Sequence, residues 1–181
     1  MCRLSIQRAT KKMAKTANLI VTFDPTKLES AKAEIMARLA EVKETPSIIK
    51  IEDGVAQVSV KDSKKAVSAL KKIAIKNKDL FSSTFNWVPI EQWCSAKMPE
   101  MQKVVREIQK SIAEKEKWKL ELGLHKTELH QRDLIIKLTE VIDKPNVDLE
   151  KPAKIVMVEI IKNQAALSLL KPEELLQAAQ L

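Results

Sequence analysis

Two cysteines and two histidines are the residues of this 181-residue chain best suited to nucleophilic or metal chemistry, and their spacing supports neither. Cys2 stands near the amino end, Cys94 mid-chain, and His125 and His130 five positions apart. A structural zinc site draws four ligands from closely spaced pairs, so no metal is expected. Cys94 with His125 is the one Cys and His pairing worth naming for catalysis. Nothing local to either activates a thiol, and Cys94 reads as a small apolar filler of helix packing. The acids lie mostly on helical polar faces among lysines, where solvated ion pairs form, and no two make an acid and base couple. Gly54 and Gly123 are the only glycines. A P-loop or dinucleotide fingerprint cannot be drawn from them, so no cofactor is expected either. By itself the chain reads as non-catalytic, with no catalytic residue to assign.

Binding chemistry is better represented. The formal charge is +8. Residues 1–16 hold five basic residues and no acid, residues 17–90 hold 12 basic and 9 acidic, and residues 91–181 hold 15 of each. Such an excess suits a polyanionic partner, although solvated lysine-rich helices give the same figure. His125, Lys126 and Arg132 stand where a strand ends and a helix starts, a place where backbone amides and the helix dipole favour phosphate. Lys162 and Asn163 fall between two apolar runs, and Lys171 follows the second. These six are the candidate RNA-binding residues. Phe85 and Trp87 alternate as the stacking aromatics of a single-strand reader do. Core packing is the preferred reading of that pair, and of Trp93 and Trp118.

The elements that must position these groups follow from periodicity. ANLIVTF (17–23) is short, β-branched and apolar, and ends at the breaker Asp24-Pro25, which predicts a strand and a turn. Leu28, Ala31, Ile35, Leu39 and Val42 then recur at helical spacing. SIIKIE and VAQVSV flank Asp53-Gly54, the signature of a hairpin whose turn needs positive φ. Ala66, Val67, Leu70, Ile73 and Ala74 mark a second helix, capped by Asp62 or Ser63, and SSTFNWV (82–88) a further strand. Strand, helix, strand, strand, helix, strand is the split βαβ, or ferredoxin-like, order.

Beyond Pro89, IEQWCSA predicts a short helical turn, and PEMQKVVREIQKSIAEK a helix with Pro99 in its first turn. WKLELGL (118–124) predicts a strand and QRDLIIKLTEVID a helix. IVMVEII and AALSLL predict two strands covered on both faces, about a KNQ turn. PEELLQAAQL is expected to be a helical turn or a frayed end. The fold class is thus α/β of the α+β kind, with a ferredoxin-like βαββαβ domain over 17–90 followed by an ααβαββ domain over 91–181. Residues 1–16 are expected to form a disordered basic extension, with Met13 close to a natural start. No long apolar run exists, so no membrane span is expected, and no apolar core of a signal peptide follows the basic start. Two cysteines so placed suggest no disulfide and a cytoplasmic setting.

The segment VDLEKPAKIVMVEIIKNQAALSLL resembles the C-terminal signature of the THUMP domain. In that family a Val-Asp-Leu-x-x-Pro loop, here Val147, Asp148, Leu149 and Pro152, precedes a strand ending in Val-Glu-Ile, here Val158, Glu159 and Ile160. The resemblance covers residues 17–178 and implies a ferredoxin-like and THUMP pair that grips the acceptor end of tRNA. The run VMVEIIKNQAALSLLK looks closest to stand-alone THUMP proteins that assist a separate acetyltransferase in making N4-acetylcytidine. That likeness implies a non-catalytic adaptor with tRNA and a modifying enzyme as partners. The basic strand end common in the family is here Leu124-His125-Lys126, without an Arg. Two other readings stand beside it: a protein-assembly subunit, or the RNA-binding part of a split tRNA thiolation, methylation or pseudouridylation enzyme.

Overall fold

The computed structural model describes residues 16–181. The basic extension expected over residues 1–16 lies, apart from Thr16, outside the described residues.

Strand β1 (Leu19–Phe23) is buried at every position. Asp24 caps a 3-10 turn, Pro25–Lys27, by accepting from the Thr26 amide, and the chain enters α1 (Leu28–Glu41), which buries Ala31, Ile35 and Leu39. Strands β2 (Ser47–Glu52) and β3 (Val55–Ser59) form the hairpin that Asp53-Gly54 predicts. Both turn residues have positive φ, +51° and +81°, as a primed hairpin turn requires. Helix α2 (Ser63–Lys76) starts at an Asp62 cap that accepts from the Lys65 amide, and β4 (Thr84–Pro89) follows. The four strands pair antiparallel in the order β2-β3-β1-β4, the ferredoxin-like arrangement.

The next element differs from expectation. IEQWCSA holds a strand, β5 (Gln92–Ser95), not a helical turn. The reason is tertiary: β5 pairs antiparallel with β8, and the Trp93 Nε1 donates to the Ala17 carbonyl at 2.7 Å. Helix α3 (Met98–Gln109) has Pro99 in its first turn, as predicted. Then come β6 (Trp118–His125), α4 (Gln131–Thr139), β7 (Lys154–Ile161) and β8 (Gln164–Leu170). They build a second sheet, β5-β8-β7-β6, in which β6 and β7 run parallel through the α4 crossover. The segment expected to be a helical turn or frayed end is partly the first: 3-10 turns at Pro172–Glu174 and Ala178–Gln180 flank a two-residue strand, β9 (Leu176–Gln177). That strand pairs with β4, so the first sheet takes its fifth strand from the far end of the chain.

Side-chain alternation turns these sheets into layers. Leu19, Val21 and Phe23 of β1 pack with α1 and α2, whereas Ile20 faces the second sheet. Val156, Val158 and Ile160 of β7 pack with α3 and α4, whereas Ile155, Met157 and Ile161 face the first sheet. The result is helices, sheet, sheet, helices, with three apolar cores between them. Both faces of β7 and β8 are covered, which is why those strands read as nearly continuous apolar runs. The molecule is mixed α/β with two sheets, a ferredoxin-like unit beside a THUMP-like one.

Candidate nucleic-acid interface

The end of β6, the turn between β7 and β8, and the loop after β5 meet at one place. The Lys162 amide donates to the His125 carbonyl at 2.9 Å, and the Ala96 amide to the Asn163 carbonyl at 2.9 Å. These two bonds staple the ends of β6 and β5 to the two-residue Lys162-Asn163 turn. An open cleft of about 710 Å³ results, lined by Ser95, Ala96 and Lys97 from one side and by Lys126 to Leu129 from the other, with Lys162 and Asn163 at the turn. Three lysines and one glutamate line it, so phosphate is the chemistry it suits.

The backbone here is unusual. Lys126 (φ +50°), Lys162 (φ +56°) and Asp53 (φ +51°) are three of four non-glycine residues in the left-handed region among the described residues. The fourth, Lys43, closes α1, where such a residue is ordinary. A left-handed conformation costs a side-chain-bearing residue on the order of 1–2 kcal/mol, and three such residues face one another. Lys162 Nζ lies 3.8 Å from Asp53 Oδ2 and Lys126 Nζ 4.0 Å from Asp53 Oδ1.

Ion pairs also tie the cleft to the first sheet. Lys162 Nζ donates to Glu52 Oε1 at 2.6 Å, and Lys50 Nζ lies 2.8 Å from the same oxygen. The hydrogen bond from Lys162, and then that from Lys50, holds the Glu52 carboxyl down at about 2; Glu52 in turn raises the Lys162 ammonium above its ordinary value. These groups are well exposed, so salt screens the attraction strongly. Lys50 belongs to this constellation, and its distance in sequence from Lys162 hid it.

His125 sits behind the lysines. Its Nε2 lies 2.6 Å from Oε2 of Glu159, a residue only 2% exposed. Glu159 alternates with Met157 and Ile161 on the β7 face that meets the first sheet. Gly123 is its register partner on β6, and a side chain there would occupy the carboxylate's space. Cys94 packs with the α3 and α4 core, on the opposite face of the same sheet. The sheet therefore separates Cys94 from His125. Burial also raises the Cys94 thiol, with the Glu100 charge adding to it, which opposes a reactive thiolate. The surroundings of Cys94 thus include a strand ladder as well as helices.

The six sequence candidates divide. Lys126, Lys162 and Asn163 line the cleft, and His125 adjoins it through the Lys126 and Lys162 side of the seam between the sheets. Arg132 is exposed on the first turn of α4, whose cap His130 makes no side-chain hydrogen bond, and it does not line the cleft. Lys171 lies past the other end of β8, roughly 25 Å away at the rise of a strand, in a groove with Lys64, Glu91 and Lys154. Lys97 and Leu129 also line the cleft; each sits just before a helix and carries no local signal in the sequence.

Core packing, expected of both Phe85 and Trp87, holds for Trp87 and not for Phe85. A register shift between β1 and β4 breaks the alternation, leaving Trp87 fully buried edge-on to Phe81 and Phe85 half exposed. Among the described residues no group of three or more His, Cys, Asp or Glu could hold a metal ion, and no helix is long and apolar enough to cross a membrane.

No family model matches the chain, and no curated protein matches it in sequence. Solved structures do match in fold. PH1313 from Pyrococcus horikoshii Ot3 superposes with a TM-score of 0.57 at 14% identity, covering 86% of this chain and 55% of that one. TrmN from Thermus thermophilus superposes with a TM-score of 0.52 at 13% identity, covering 83% and 44%. A 4-thiouridine synthetase solved with RNA and ATP aligns with a TM-score of 0.48 at 15% identity, over 87% and 42%. The chain thus spans about half the length of the structures it matches, and what it shares with PH1313 and TrmN is their fold over five-sixths of its own length.

Proposed function

We propose that the chain is a non-catalytic tRNA-binding adaptor that presents tRNA to a separate base-modifying enzyme, the acetyltransferase that makes N4-acetylcytidine being first choice. The observation that carries this reading is the lysine-lined cleft at the meeting of β5, β6 and the β7–β8 turn, set in a THUMP-like sheet. Residues 17–90 and 91–181 are its two proposed domains, with β9 of the second completing the first sheet and Lys162 paired to Glu52 and Asp53. His125, Lys126, Lys162 and Asn163 form the contact at the cleft, with Arg132 and Lys171 as outlying phosphate contacts. A second reading is the RNA-binding part of a split tRNA thiolation, methylation or pseudouridylation enzyme.

The experiment is a binding titration of purified protein with tRNA across salt, wild type against Lys126→Glu, Arg132→Glu and Lys162→Glu. Affinity should fall as salt rises, through counterion release, and fall further with the charge reversals. No salt-sensitive binding of tRNA would sink the reading and leave a protein-assembly role. Unchanged binding in all three variants would sink the site. Affinity capture that recovers an acetyltransferase, or instead a thiolation, methylation or pseudouridylation enzyme, separates the two partner readings.

A further inference from the structure

Charge is not shared evenly among the helices. Helix α1 carries three acids and two basic residues, α3 two of each, and α4 one acid and two basic residues. Helix α2 carries five lysines, Lys64, Lys65, Lys71, Lys72 and Lys76, and no acid; the acid-free stretch runs on through Lys78. Two of these lysines are structural. Lys64 Nζ bridges Glu91 Oε1 at 2.6 Å and the Leu169 carbonyl at 2.9 Å, and Lys71 Nζ donates to the Pro172 carbonyl at 2.7 Å. Lys64 ties the helix to Glu91 and the end of β8, and Lys71 ties it to the segment that leads into β9.

The other three are not used this way. Lys65, Lys72 and Lys76 are exposed and have no side-chain partner among the described residues. At spacings of seven and four they form one stripe, with the exposed Lys61 before it and Lys78 after it. Lys72 and Lys76 are a like-charged i, i+4 pair, which works against an isolated helix by a few tenths of a kcal/mol. The fold keeps that repulsion without any internal contact to offset it.

We propose that this face of α2 is a second nucleic-acid surface, separate from the cleft, that takes the phosphate backbone of double-helical RNA without reading its sequence. From Lys65 to Lys76 the stripe is about 16 Å long at the helical rise. A duplex presents a phosphate charge roughly every 1.7 Å of its axis, so about ten phosphates pass along that length. Single strands are held by stacking bases on aromatic side chains, and this helix has none. A membrane surface is disfavoured because the apolar face of α2, with Ala66, Val67, Leu70 and Ala74, is buried against the first sheet.

The test is fluorescence anisotropy with two probes, a blunt RNA duplex of about sixteen base pairs, the span of a double-stranded-RNA module, and a short single strand. Wild type is compared with K65Q/K72Q/K76Q, the charge-keeping K65R/K72R/K76R, and the cleft variant K126Q/K162Q. The Gln variant should lose tenfold or more in duplex affinity at low salt, with the slope of log K against log salt shallower by roughly 2 to 3, while single-strand binding stays as in wild type. The Arg variant should bind duplex as wild type does. An unchanged duplex slope in the Gln variant would overturn the proposal. So would duplex binding that only K126Q/K162Q removes, or wild-type protein that binds polyglutamate or anionic vesicles and not duplex. The tRNA titration with the Lys126 and Lys162 variants reports on the cleft, so failure of the cleft reading shows up apart from failure of this one.

Discussion

Gly123 stands directly across from Glu159 in the parallel register of β6 and β7, and the Glu159 carboxylate fills the space that a side chain at 123 would take. The glycine thus lets a buried acid reach across β6 to the His125 ring. Gly123→Ala should push that carboxylate off the histidine and destabilise the protein by about 1–3 kcal/mol, the usual range for overpacking. Adding Glu159→Ala to that variant should recover part of the loss, because the clash goes with the carboxylate. Denaturant melts of the four-member cycle check this; equal costs of Gly123→Ala in both backgrounds would refute the contact.

Two carboxylates give the stability curve an acid limb. Glu52 is held at about 2 by Lys162 and then Lys50, against an ordinary 4.5. Asp148 is held at about 2 by Lys117 and then the Lys151 amide, against an ordinary 3.8. A depressed native value means stability present above the unfolded value and lost as pH falls through the native one. The loss should therefore run from near pH 4.5 down to about 2. Glu52→Gln and Asp148→Asn should be less stable than wild type at neutral pH and converge with it by about pH 2. Denaturation at a series of pH values tests this, and a gap that stays constant with pH would rule it out.

Trp93 is the anchor that makes a strand of a segment without β-branched residues. Trp93→Phe keeps the ring in the core between the sheets but removes the donor to the Ala17 carbonyl. A loss of about 0.5–1.5 kcal/mol is expected for one such bond, with protection of the Ala17 to Leu19 amides in hydrogen exchange falling as well. Wild-type exchange in the variant would show that the bond anchors nothing.

Lys126 and Lys162 occupy backbone positions that suit glycine better than lysine. Lys126→Gly with Lys162→Gly should keep the fold, since the relief of strain offsets the lost surface pairs. The same double variant should weaken tRNA binding, with a salt slope lower by roughly 0.7–0.9 for each charge removed. Thermal melts and anisotropy on one preparation separate the two effects. Wild-type affinity in a folded double variant would remove both lysines from the contact.

Much of the architecture was legible because it is local. The Asp53-Gly54 hairpin, the faces of α1 to α4, and the apolar strands β7 and β8 each rest on spacing within about fifteen residues. Strands β5 and β9 were not legible, since four residues reading Gln-Trp-Cys-Ser and two reading Leu-Gln carry no period; β8 and β4 make strands of them. The cleft was legible only in part. Lys126 and Lys162 stood out as strand-end lysines, yet nothing local says that Lys50 shares their site and Lys171 does not. That division depends on which end of β8 each occupies and on how the sheets stack. Gly123 stood out as one of two glycines, and a glycine inside a strand pattern signals a close approach; what approaches it belongs to another strand.

The pairing of β9 with β4 bears on the order in which the protein can be made. The first sheet begins at Leu19 and receives its last strand at Leu176 and Gln177, so a ribosome delivers the first four strands well before the fifth. Through that interval the β4 edge stands open, with unsatisfied amides and carbonyls that another chain could pair with. The buried Leu176 is missing from the core beneath α2 for the same time. Closure of that core spans nearly the whole chain, a long-range step of the kind that slows folding. A nascent chain arrested before residue 176 therefore carries a sheet that is paired within itself and still receptive at one border.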